Sequence, residues 1–255
     1  MVEQATENRC VGGSIPPLGT IIMRLFYLLL FLCVSSGFSC KMKSKDYFPT
    51  KTGLKWTYSL VLKSSYTGKN YSKRIFVTNV KSRKKGDQIE ILRLYSDGSY
   101  YSYVLTLKKR NLKRMGVILS FDEGIVEPVK KVVYPDIDFK KKEWVVKEQL
   151  FLVEGYQPPL LNIKPRPRLN MTYKIIKKHD EYKTKGKIYR DCIEITGKGS
   201  TDFIADTRSG SINVEVQNHE IICDGFGLIK QERLENTNAS AFGNMILSKE
   251  LIGFN

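Results

Sequence analysis

From Leu54 onward the chain alternates apolar and polar residues, and that period of two limits the fold more than any other feature. Across residues 54–63, Trp56, Tyr58, Leu60 and Leu62 fall on one side and Lys55, Thr57, Ser59 and Lys63 on the other. Successive strand side chains point to opposite faces, so this is the pattern of a half-buried strand. The same grammar repeats. Residues 64–69 form a polar turn with Gly68, 74–81 a second strand, Lys84-Lys85-Gly86-Asp87 another turn, and 88–95 a third strand. Asp97-Gly98 then separates two β-rich runs, where glycine accepts the positive φ of a tight hairpin turn. Its return strand, 100–108, alternates Tyr101, Tyr103, Leu105 and Leu107. Strand, turn and strand at this spacing predict an antiparallel meander.

The middle is less regular. Residues 117–121, 129–134 and 143–153 each read as strands, interrupted by Pro128, Pro135, Pro158, Pro159, Pro165 and Pro167, which cannot donate to a ladder. Residues 154–168 read as a long loop or edge cover. Alternation resumes over 171–178 with Met171, Tyr173 and Ile175, and Gly186 turns the chain into 188–196. Gly197 to Gly210 reads as a turn region around a short strand near Phe203, and 212–223, 228–235 and 241–251 close the chain. No apolar 3.6-residue period persists across a dozen of these residues. The prediction is a mostly β domain, a curved antiparallel sheet forming a half-barrel or open barrel of about ten strands, preceded by a signal-peptide helix. That many strands must curl or close to hide their edges.

The helix belongs to Met23–Cys40, MRLFYLLLFLCVSSGFSC. Arg24 is a short positive region, 25–34 an apolar run, and 35–39 small and polar except for Phe38. This is the three-part layout of an export signal, too short to span a bilayer as a permanent helix of about 20 residues. Two processing routes fit its end. Ser39-Cys40 resembles a bacterial lipobox, which would make Cys40 the lipidated first residue, although Gly37 and Phe38 depart from that pattern. Alternatively Gly37 and Ser39 are the small residues of an ordinary cleavage site. Lipidation is the favoured route. Residues 1–22 show no strand or helix period and read as an over-extended start before Met23. The expected organisation is therefore 1–22 outside the fold, 23–39 signal, 40–46 a polar tether, and 47–255 one β domain.

Charge narrows the partners. Arg9 and Arg24 balance Glu3 and Glu7, so the whole net charge of +16 belongs to the chain from Cys40 on. Such an excess favours anionic surfaces. Export removes nucleic acid from consideration and leaves anionic phospholipid or lipopolysaccharide. The lysines are scattered, as on a solvated surface. With Cys40 lipidated, Cys192 and Cys223 are an even pair in an oxidising compartment. A bridge between them needs α-carbons about 4.4 to 6.8 Å apart.

Taken together, the two ends of the domain resemble a broad group of uncharacterised bacterial exported proteins, many of them lipoproteins. The resemblance rests on Tyr47, Phe48, Pro49, Gly53, Trp56 and Tyr58 at the opening and Gly225, Phe226, Gly227 and Lys230 at the close. It implies a curved antiparallel sheet similar to the half-barrels of envelope lipoprotein carriers, and no activity. It also implies the outer membrane, because Lys41 stands where such lipoproteins carry Asp when retained at the inner membrane.

No constellation points to catalysis. His219-Glu220-Ile221-Ile222-Cys223 lacks the final His of a zinc-protease motif and sits in a β-rich run. A structural metal site from His219, Cys223 and Cys192 competes with the disulfide. Gly225-Phe226-Gly227 and Gly197-Lys198-Gly199-Ser200 lack dinucleotide and phosphate-loop spacing. His179 lies in a charged, turn-like run and reads as solvated. Tyr100, Tyr101 and Tyr103, with Tyr95, Arg93, Lys108 and Lys109, could form a sugar- or lipid-contacting surface or simply pack across strands. The expectation is a non-enzymatic envelope lipoprotein without a metal or other cofactor. It would be anchored to membrane through Cys40 and would bind or scaffold another envelope component, including envelope proteins. A carrier of an apolar ligand and a hydrolase using scattered carboxylates are the alternatives.

Overall fold

Alternation of large apolar with polar side chains becomes thirteen strands of one antiparallel sheet in the computed structural model, which describes residues 45–65, 68, 70–118, 125–126, 131–151, 167–204, 210–240 and 242–255. Residues 1–22, the export segment and Cys40 lie outside the described residues, as does most of the expected 154–168 loop. A first meander comprises β1 (Lys55–Ser64), β2 (Asn70–Lys85), β3 (Gln88–Tyr95), β4 (Tyr100–Thr106) and β5 (Asn111–Ile118). The short β6 (Ile125–Val126) and β7 (Lys131–Tyr134) both pair with β5. A second meander comprises β8 (Glu143–Gln149), β9 (Arg168–Thr184), β10 (Lys187–Ile204), β11 (Ser211–Cys223), β12 (Gly227–Thr237) and β13 (Asn244–Phe254). Pairing of β13 with β1 joins the two, giving the order β6-β5-β4-β3-β2-β1-β13-β12-β11-β10-β9-β8. β7 comes alongside β8, so the sheet curls into a nearly closed barrel. No helix occurs among the described residues.

The curved antiparallel sheet is as expected, with thirteen described strands, two of them the short pieces in the proline-broken stretch after β5. One expectation about elements needs correction. The glycine-rich stretch that starts at Gly197 does not open as a turn: β10 runs unbroken to Ile204. Its glycines make room. A Cβ on Gly197 would lie 2.6 Å from the Tyr173 ring, and one on Gly199 would lie 2.6 Å from the Asn170 carbonyl oxygen. The charged run around His179 is likewise strand, the middle of β9.

Aromatic side chains cover the seam between the meanders. Tyr134 meets Phe139 at 5.3 Å between ring centroids, Phe139 meets Trp144 at 6.0 Å, and Trp144 stacks on Tyr173 at 5.8 Å. One end of the barrel is shut by residues 45–49. Tyr47 and Phe48 are buried there. The Gly225 N–H donates to the Asp46 carbonyl at 2.9 Å, and the Asn79 side-chain amide donates to the Pro49 carbonyl at 3.1 Å. The opening and closing motifs thus meet each other. Trp56 Nε1 donates to the Phe226 carbonyl at 2.8 Å, and Gly227, at φ +78°, leaves just enough space for Pro49 Cδ, 3.4 Å from where a Cβ would stand. The described barrel therefore closes through its own strands and residues 45–49.

The tip of the β9–β10 hairpin bends onto the outside of β13. Asp191, at φ +51°, interrupts the pairing. Beyond it Thr184 Oγ1 donates to the Glu250 carboxylate, Lys185 pairs with Glu250 at 2.7 Å, and Lys187 Nζ donates to the Ile252 carbonyl at 3.1 Å.

Candidate functional site

Strand register builds the lumen in rows. One row runs Lys73, Leu60, Lys249, Gln231, Glu220 and Ile195 across β2, β1, β13, β12, β11 and β10. The next runs Leu62, Leu247, Arg233, Asn218, Gly197 and Tyr173. Polar and charged residues therefore occupy inward positions that an apolar core would fill with Val, Ile and Leu.

Most of these groups are paired. Arg233, 1% exposed, donates from Nη1 to Glu148 and from Nε to Glu235 at 2.7 Å, and from Nη2 to the Gln149 carbonyl at 3.0 Å. Burial works against its charge, and Glu235 and Glu148 more than offset that, holding its pKa above the usual guanidinium value. Tyr173 donates to Glu148 at 2.8 Å and receives the Asn218 amide at 3.3 Å. Glu220 accepts from Asn218 at 2.8 Å, Gln231 at 3.1 Å and Tyr134 at 3.3 Å. Burial raises the phenol pKa values of Tyr58, Tyr95, Tyr134 and Tyr173, so these hydroxyls stay protonated donors.

Lys249, Arg93 and Arg114 face inward with no carboxylate partner among the described residues. Lys249 Nζ stands 4.3 Å from the centre of the Tyr58 ring and makes no hydrogen bond or ion pair there. Burial pushes its pKa down to about 8, Arg93 pushes the same way, and Glu220 opposes both. Arg93 donates to Asn79 Oδ1 at 2.8 Å and the Pro49 carbonyl at 3.1 Å, with its guanidinium 3.9 Å from Phe48, 4.7 Å from Trp56 and 5.5 Å from Tyr103. Arg114 lies 5.6 Å from Tyr101, and its Nε is buried without an acceptor. At the end away from residues 45–49 the inward rows run out into exposed side chains among the described residues. Tyr71 and Lys73 lie on the inward rows of Leu62 and Leu60 yet are exposed, because β2 runs past β3 over residues 70–76.

The residues singled out from sequence fall in different places. Tyr101 and Tyr103 turn inward with Arg93, whereas Tyr100 is on the opposite face of β4, so they do not form one external surface. Cys192 and Cys223 are joined by a disulfide on the outer face, their α-carbons 4.0 Å apart. This is closer than the expected range; the two residues sit directly opposite each other on β10 and β11. Both thiols are thereby consumed, which removes the metal site with His219. His179 is not solvated: it and His219 each bond one oxygen of Glu194 at 2.8 Å. The His219 bond lowers the Glu194 pKa, burial opposes it, and His179 adds to the lowering. Lys249, Arg114 and Arg233 escaped the reading of the sequence. The available signal was the run Gln231, Arg233, Glu235 at alternate, inward positions of β12.

No family model matches the chain, and no curated protein matches it. Solved structures match the chain, each at 9% sequence identity. A Bacteroides fragilis protein described as exported and of YmcC-like fold covers 82% of this chain and 98% of its own, with a TM-score of 0.42. A Parabacteroides distasonis protein described as a lipoprotein covers 84% and 100%, with a TM-score of 0.39. A Vibrio parahaemolyticus domain described as an outer membrane lipoprotein-sorting protein covers 80% and 85%, with a TM-score of 0.23.

Proposed function

We propose that this chain is an exported envelope lipoprotein that works by binding a ligand in its barrel lumen, without catalysis, while Cys40 anchors it to the membrane. The observation that carries this reading is the lumen itself. Among the described residues it is capped at one end by residues 45–49, ends in exposed Tyr71 at the other, and is lined by half-buried Leu60, Leu62 and Leu247 beside fixed polar groups. Concave sites of this make-up, apolar walls with a few placed polar groups, are where small ligands bind. A binding role is supported over hydrolysis because Glu148, Glu220 and Glu235 are committed to structural hydrogen bonds. The signal-like segment and Ser39-Cys40 support export and lipidation. Native mass spectrometry of residues 41–255 from a bacterial periplasm tests the reading. A reproducible added mass, lost on organic extraction, is expected; an unliganded mass that stays unliganded in cell lipid extract would turn the search to protein partners.

A further inference from the structure

The lumen is sorted by charge. Arg233, on one side, has two carboxylates; Lys249, one row away, has none among the described residues. Lys249 is half-buried, so its ammonium keeps only part of its hydration, and no carboxylate among the described residues compensates the loss. Packing gives no reason for lysine there, since Leu or Met would fill the same volume between Leu60 and Gln231. The nearby acid, Glu220, already accepts three hydrogen bonds, and Arg93 adds positive potential. Arg114, turned inward opposite Tyr103, brings a third cation with a buried donor that has no acceptor.

We propose that the lumen takes an amphiphile with an anionic head, a carboxylate or phosphate, which pairs with Lys249 under the field of Arg93 while its chain lies along Leu60, Leu62 and Leu247. This rests on the lumen-binding reading above and adds the ligand class. The chemistry is complementary on both counts. An anion supplies a partner for the ammonium, and the half-buried leucines on the Tyr71 side offer a chain the apolar contact that a free inorganic anion does not need. Lys73, exposed on the same row at the mouth, favours entry of a negative ligand.

The test uses residues 41–255 with 11-(dansylamino)undecanoic acid and its methyl ester as fluorescent probes. The acid binds, and the ester binds about tenfold more weakly, the size of a lost hydrogen bond to a charged group. Lys249→Met loses about the same factor for the acid only, Lys249→Arg restores most of it, and circular dichroism confirms that both variants are folded. Palmitate and lysophosphatidate displace the acid probe and rank the two heads. Equal binding of acid and ester, unchanged in Lys249→Met, overturns the anionic head and leaves lumen binding standing. Binding of neither probe overturns both. Displacement by inorganic phosphate at the same concentration as palmitate overturns the role of the chain.

Discussion

Lys249 and Arg233 sit one row apart and give opposite predictions. Facing Lys249 are Tyr58 on β1, Arg93 on β3, Glu220 on β11 and Gln231 on β12, and together with burial they hold its pKa near 8, below the ordinary 10.5. Between about pH 8 and 10.5 the unfolded chain keeps a proton that the folded chain has released, so stability rises with pH across that window. Below it the charged lysine counts against folding in full. Lys249→Met is therefore expected to stabilise the barrel at pH 7 by roughly 1–3 kcal/mol and to flatten the rise toward alkaline pH. Urea melts at about pH 7 and pH 9.5 check both, since the two values bracket the folded-state titration. A Lys249→Met variant less stable than the parent at the lower pH contradicts the assignment. Arg233→Met should do the reverse. It leaves Glu148 and Glu235 buried without their cation, at a cost of about 3–5 kcal/mol in the same melts. Neither residue was legible beforehand, because a period of two gives which positions share a face but does not say that an inward charge has a partner across the lumen.

At the scale of elements the first meander was legible almost throughout. Alternation fixed the faces of β1, β3 and β4, and Asp97-Gly98 turns where a hairpin was expected, with Gly98 at φ +83°. The glycine-rich stretch after Thr196 was misread for a physical reason. Glycine serves both to bend a chain and to admit a bulky neighbour, and sequence does not separate the two uses. At Gly199 the structure does: the site is extended strand, and the neighbours at 2.6 Å and 2.7 Å are a backbone oxygen and Met171 Sδ. Backbone cannot move aside as a side-chain tip can. Gly199→Ala is thus expected to destabilise by about 1–3 kcal/mol. Alanine at Gly186, where nothing lies within 4 Å, meets no neighbour and bears only the strain of its positive φ, +73°. A larger loss of melting temperature at Gly186 than at Gly199 would mean that close packing between β9 and β10 is not what the glycine serves. The charged stretch around His179 was opaque for a different reason. Strand β9 there exchanges its outward charges with Glu194 on β10, a pairing that lies across the sheet and not along the chain.

The whole barrel is organised by its closed end. The two short motifs that carried the resemblance are far apart in sequence, yet Trp56, Phe226, Gly227 and Pro49 lie against one another, which is why residues so small and scattered can mark the fold. Lys45 and Asp46 are already fixed there, Lys45 to Asp191 and the Asp46 N–H to Asp224, so these barrel contacts begin five residues after Cys40. These contacts join described residues of the barrel to one another, and lipidation at Cys40 is expected to be separable from folding. In a bacterium that processes lipoproteins, the full-length chain should incorporate a tagged fatty acid and sediment with membranes. Cys40→Ala should lose the label and appear in the soluble periplasmic fraction. The same variant should retain the Cys192–Cys223 bridge, seen as faster migration on a gel without reductant, because both cysteines belong to strands that pair without the anchor. A bridged but still labelled Cys40→Ala protein would show that the lipid is attached elsewhere. An unlabelled parent cleaved after Ser39 would assign the segment to ordinary export and leave the barrel's lumen to act in solution.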